Sequence, residues 1–105
     1  MDKRRKHIDQ DAERALRAHF FEDIAAGKLS LADAVKTMRR ISRLTQVEFA
    51  RHRGISIGAL KQIESGQGNP QIETLEKIGA IFGVEIGFVL KPKDSKKLRA
   101  EASPH

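Results

Sequence analysis

The chain has 105 residues, near the lower end of the ~100 to 200 typical of one domain, so it can bury one modest core. With 39% hydrophobic and 32% charged residues it suits a soluble helical domain rather than a disordered or membrane-embedded chain, and no apolar run approaches the ~20 residues that span a bilayer. The formal net charge of +6 favours a polyanionic partner, because each lysine or arginine set on a phosphate releases a condensed counterion; charge alone does not choose DNA over RNA. The absence of cysteine excludes a disulfide framework and a thiolate metal site, and leaves the redox compartment open. His7, His19, His52 and His105 lack ligand-like spacing, so neither a metal nor a cofactor is expected. The start, MDKRRKHIDQD, is basic without a following apolar block, which predicts a protein that stays where it is made, in the cytoplasm.

Residues 1–30 read as a basic end followed by an amphipathic helix. Lys3, Arg4, Arg5 and Lys6 have nothing to bury and form either a solvated end or an arm that touches phosphates. A helix is predicted from Asp9 to Ala26, ended by Gly27, with Ala12, Leu16, Phe20 and Ile24 on one stripe and Ala15 and His19 beside it. A single amphipathic helix does not persist alone, so the stripe must dock on the main domain or on a second copy; Phe21, off the stripe, faces either a partner or the core. Ser30 then caps a helix from Leu31 to Arg43, with Asp33 near its positive end, an inward face of Leu31, Val35, Met38 and Ser42, and Lys36, Arg40 and Arg43 pointing elsewhere.

The stretch from Leu44 to Gly66 organises the rest. Thr45 and Glu48 have the spacing of a capping box, so a short helix starts there, with Val47, Phe49 and Ala50 inward and Gly54 after its last turn. Ser56 caps a second helix whose Ala59, Leu60 and Ile63 face inward, closed by Ser65 and Gly66. Two short capped helices about a glycine turn are the sequence form of a helix-turn-helix, whose second helix commonly lies in the DNA major groove. After the loop Gln67-Gly68-Asn69-Pro70, a helix from Gln71 to Phe82 supplies Ile72, Leu75, Ile78, Ala80, Ile81 and Phe82 to the core, and Gly83 stops it. Residues 84–92 alternate with period two, Val84, Ile86, Phe88 and Leu90 on one face, and predict a strand ended by Pro92. A lone strand needs a partner for its N–H and C=O groups, and the same strand of another copy, paired across a two-fold axis, is the most available; the alternative is a final helical turn or an apolar tail on its own domain. Residues 93–105, with Lys93, Lys96, Lys97 and Arg99, read as a mobile basic tail.

Leu44-Thr45-Gln46, Phe49-Ala50, Gly54, Ser56, Ile63-Glu64, Gly66, Asn69-Pro70, Thr74-Leu75, Ile78 and Gly83-Val84 together resemble the phage-repressor/Cro-like (Xre) helix-turn-helix proteins over residues 31 to 84. The resemblance implies an all-α, lambda-repressor-like bundle at residues 31–83, here with an extra N-terminal helix and a short C-terminal β-strand pairing across a dimer. That strand departs from the commonest family pattern, which has a fifth helix there, and is similar to the terminal strand of HipB-type antitoxins. The resemblance assigns Arg39 and Glu64 to a buried structural ion pair and puts Gln46 at a phosphate, buttressing the recognition helix. Base-edge positions fall on Ile57, Gly58, Lys61 and Gln62, with Ser56 bonding a base or a phosphate: Ile57 suits a thymine methyl, Lys61 guanine and Gln62 adenine. Few of these are long polar side chains, so DNA shape and half-site spacing should carry more of the specificity. Arg40, Arg43, Arg51, Arg53 and Lys61 are candidate phosphate contacts or solvated surface.

The implied function is a homodimeric, sequence-specific repressor of double-stranded DNA acting on an inverted repeat, autoregulatory, with a toxin protein as further partner in the antitoxin version. The alternative is a non-repressing module that uses the same fold to bind protein or RNA, indifferent to DNA sequence. No nucleophile–base pair, phosphate-cradling glycine loop or metal triad points to an enzyme.

Overall fold

The computed structural model describes residues 9–88 and residue 90. Among them are five α-helices, α1 (Gln10–Ala25), α2 (Leu31–Ser42), α3 (Gln46–Arg53), α4 (Ile57–Ser65) and α5 (Ile72–Gly79), and a 3-10 turn at Ala80–Phe82. Polar side chains start four of them, taking up amide groups that have no partner within the helix. Asp9 Oδ1 accepts from the N–H groups of Asp11 and Ala12. Ser30 Oγ accepts from Asp33 N–H and Ser56 Oγ from Ala59 N–H, both at 3.0 Å. At α3 the capping box closes on both sides: Glu48 N–H donates to Thr45 Oγ1 at 3.1 Å, and Thr45 N–H to Glu48 Oε1 at 2.9 Å. The turn between α3 and α4 is made by Gly54 at φ +72°, a conformation a side chain rarely tolerates. Arg43 ends α2 in the same left-handed region, φ 59°, without being glycine.

Each helix sends one side chain to the centre of the core: Phe20, Val35, Phe49, Leu60 and Ile78 are all essentially inaccessible. Burial of each stabilises the fold by about 1.5–3 kcal/mol, an upper bound because unfolded chains already hide some apolar surface. Ala34, Met38, Ile41, Ala50, Ile63, Leu75 and Phe82 complete the cluster. Helix α1 docks on its own domain through Phe20, with Leu16 and Ile24 half-buried beside it and the Phe20 ring edge-on to Phe82 at 5.7 Å. None of the helices among the described residues is long and apolar enough to cross a membrane.

Several inward assignments change. Leu31, Val47, Ile72, Ala80 and Ile81, expected inside, are exposed, while Ala34 and Ile41 take places on the inner face of α2. Leu31 and Ile72 are the first residues of their helices, short of the packed turns. The α-helix predicted to Phe82 stops at Gly79, and the 3-10 turn brings Phe82 inward while leaving Ile81 out.

The strand expected from Val84 is likewise absent among the described residues; 84–88 and 90 have no regular secondary structure. In a single chain this segment has no neighbour to supply ladder bonds. Val84, assigned to a dimer face, instead packs half-buried on the core, its N–H donating to Gly79 C=O at 3.1 Å. The approach is so close that a Cβ on Gly79 would lie 2.7 Å from Val84 O, which is why glycine stands there. Ile86, Phe88 and Leu90 remain exposed, so the segment is not a tail packed on its own domain either. The basic end, the basic tail, Val89 and Pro92 lie outside the described residues.

Candidate nucleic-acid interface

Helix α4 has two faces. Leu60, Ile63 and Glu64 are buried, whereas Ser56, Gly58, Lys61 and Gln62 lie exposed along the opposite edge. That edge is not covered by the described polypeptide, and its residues fall at the spacing of one helical surface. Ile57 is half-buried and packs against the core, so only part of it is left for a base methyl. Gly58 has nothing within 4 Å of where a Cβ would stand, which leaves the backbone open to close approach.

The edge is held rigidly from behind. Arg39 of α2 grips Glu64 with two charge-assisted bonds, Nε to Oε2 at 2.8 Å and Nη2 to Oε1 at 2.9 Å, and its Nη1 donates to Leu44 C=O at 3.3 Å. Gln46 Nε2 donates to Glu64 Oε1 at 3.0 Å, tying the start of α3 to the end of α4. Arg39 and Glu64, the two residues that the family resemblance pairs, are thus in contact, and Gln46 bonds the same carboxylate. Burial pushes the Glu64 carboxyl up, but the hydrogen bonds from Arg39 and Gln46 and the nearby positive charge hold it, on balance, below the usual carboxylate range. The Arg39 guanidinium is raised by its bond to Glu64.

Gln62 leans over the loop that follows. A Cβ on Gly68 would lie 2.8 Å from Gln62 Oε1, so the loop leaves room for the amide. Between α4 and that loop is an open polar cleft of about 420 Å³ lined by Ser56, Ala59, Gln62, Asn69, Thr74 and Lys77 among others. The sequence drew attention to Asn69 and Thr74 as matched positions without suggesting this concavity.

The arginines divide. Arg40 and Arg51 are exposed, as is Lys61. Arg43 is half-exposed and its Nη1 lies 3.3 Å from Glu13 Oε2 of α1. Arg53, expected among the phosphate contacts, is only 7% exposed: its guanidinium stacks on the Phe49 ring, 4.3 Å from the centroid, and donates to Ser42 Oγ and His52 Nδ1. Its Nε is buried without a partner, and desolvation lowers its pKa from the ordinary arginine value. A terminal basic residue on a short helix reads the same in sequence whether it points outward or folds back on an aromatic ring.

Comparison with known proteins places the motif. An immunity repressor protein of Bacillus phage phi105 is 27% identical over 62 residues, 59% of this chain and 43% of the relative, so the chain spans less than half that protein's length. No solved structure matches the chain. A family model described as helix-turn-helix matches residues 35–89, from the middle of α2 to beyond the 3-10 turn, and the chain, with α3 and α4 as its paired helices, belongs to that family.

Proposed function

We propose that this chain is a transcriptional regulator, not an enzyme, that binds double-stranded DNA sequence-specifically as a homodimer and represses from an inverted-repeat site, its own upstream region included. The observation that carries the reading is the open edge of α4, Ser56, Gly58, Lys61 and Gln62, fixed from behind by Arg39, Glu64 and Gln46. Helix-turn-helix membership and the phage immunity repressor relative support it. Lys61 and Gln62 would read guanine and adenine edges, each contributing about 1–3 kcal/mol of discrimination. Gln46, Arg43 and Ser56 would set the register on phosphates. Two copies would pair through Ile86, Phe88 and Leu90, whose exposure is otherwise unexplained, placing recognition helices about 34 Å apart on successive major grooves. Such a dimer in the bacterial cytoplasm, associated with the nucleoid, would also suit the antitoxin of a toxin–antitoxin pair, in which a toxin protein binds the same regulator.

Footprinting on the upstream region tests the division of roles. Gln62→Ala should relax preference at one base pair per half-site, while Gln46→Ala, which also loosens Glu64, should weaken binding to every sequence. Equal losses on all sequences for both variants, or no preference of the wild type over random duplex at matched salt, would refute it.

A further inference from the structure

Arg43 is held in two different ways by its surroundings. Its backbone is fixed: it sits in the left-handed region at φ 59°, and its N–H donates to Arg40 C=O at 3.0 Å. Its side chain is loosely tethered. Among the described residues its guanidinium meets one carboxylate, Nη1 to Glu13 Oε2 at 3.3 Å, between side chains that are 48% and 35% exposed. The Arg39–Glu64 pair of the same fold is bidentate at 2.8 and 2.9 Å with Glu64 buried. Charge-assisted bonds that orient a group are short and forked; a single long contact in solvent is the kind that exchanges. Arg43 also stands two residues before the cap of α3, whose N-terminal amides favour anions.

Glu13 arrives there through α1. It lies three and seven residues before Leu16 and Phe20, on the stripe that docks the helix, so core packing delivers a carboxylate to the start of the helix-turn-helix. We infer that Glu13 occupies Arg43 in the free protein as a stand-in for a DNA phosphate, and that binding exchanges the carboxylate for the phosphate. The N-terminal helix thereby sets the affinity of the DNA face as well as completing the core. This rests on the DNA-binding reading of the α3–α4 face. It assigns to Glu13 a brake on affinity that is independent of base sequence.

A labelled mixed-sequence duplex, titrated by fluorescence anisotropy over a salt series, tests the exchange. Glu13→Gln should bind up to about fivefold more tightly with an unchanged salt slope, since an exposed pair contributes at most about that factor. Arg43→Asn keeps a residue suited to the left-handed conformation and should weaken binding, lowering the log–log salt slope by about 0.9, one phosphate contact. In the Arg43→Asn background, Glu13→Gln should add nothing. Asp11→Asn removes a neighbouring charge that, among the described residues, lies 3.8 Å from Arg14 and not against Arg43, and should leave affinity near wild type. Weaker or unchanged binding by Glu13→Gln would overturn the inference. So would an equal gain from Asp11→Asn, or a gain that persists without Arg43. Because the probe carries no chosen sequence, a protein that fails to prefer its upstream region still reports on the exchange, and the two readings fail separately.

Discussion

Arg39 and Glu64 are unequal partners, because the arginine side chain is 27% exposed and the glutamate 6%. Replacing Arg39 by alanine strands a buried carboxylate with only Gln46 to satisfy it, and should cost about 3–5 kcal/mol in chemical denaturation. Glu64→Ala leaves a cation that can rehydrate, so its cost should be clearly smaller. The pair also sets an acid limit. A carboxyl held below its ordinary pKa in the folded state stabilises the fold above the unfolded value, and that contribution is lost as pH falls through the folded value. Denaturation midpoints of the wild type should therefore drop across the acid side of the carboxylate range, and Glu64→Gln should remove part of that dependence. Arg53 behaves differently, since among the described residues no carboxylate faces it and its Nε has no partner. Substituting Met, of similar length and no charge, should change stability by less than about 1 kcal/mol and leave the salt slope of DNA binding unaltered, in contrast to Arg43. A steeply reduced slope for Arg53→Met would return it to the phosphate contacts.

Helices were legible wherever caps and glycine stops punctuated the chain: Ser30, Thr45 with Glu48, Ser56, Gly54 and Gly66 all act where their local chemistry says they should. Less legible was which copy would receive α1, since an apolar stripe specifies burial but not the surface that provides it. Phe20 resolves this by meeting Phe82 and the rest of the core, while its neighbour Phe21 stays at 40% exposure. Phe20→Ala should cost about 3–5 kcal/mol and Phe21→Ala much less, in urea unfolding of the full chain. Similar losses for both would mean that α1 is seated by both rings. The end of α5 was misread for a related reason: a helical period continued through Ile81, but the tight return of Val84 onto Gly79 forces a 3-10 turn. The Glu13–Arg43 and Arg53–Phe49 contacts also escaped detection, being long-armed side chains whose direction periodicity does not encode.

At the scale of the molecule, most apolar side chains that the core does not use are scattered, but Ile86, Phe88 and Leu90 are concentrated on one short segment after Val84. Period-two spacing puts these three on the same side of an extended backbone, and that backbone has ladder groups to offer another chain. The proposed second copy would satisfy both needs at once, and in a two-fold arrangement each side chain would count twice. Since Phe88 and Leu90 add nothing to the core of their own domain, charging them should separate association from folding. If the proposed pairing holds, the wild type should sediment as a dimer and Phe88→Glu as a monomer, which should lose affinity for an inverted-repeat fragment far more than for a single half-site. Its melting temperature should match that of dilute wild type, while the wild-type value should rise with protein concentration, as mass action requires of a folded dimer. A wild type whose melting temperature ignores concentration, or a Phe88→Glu protein that still sediments as a dimer, would place the interface elsewhere on the bundle.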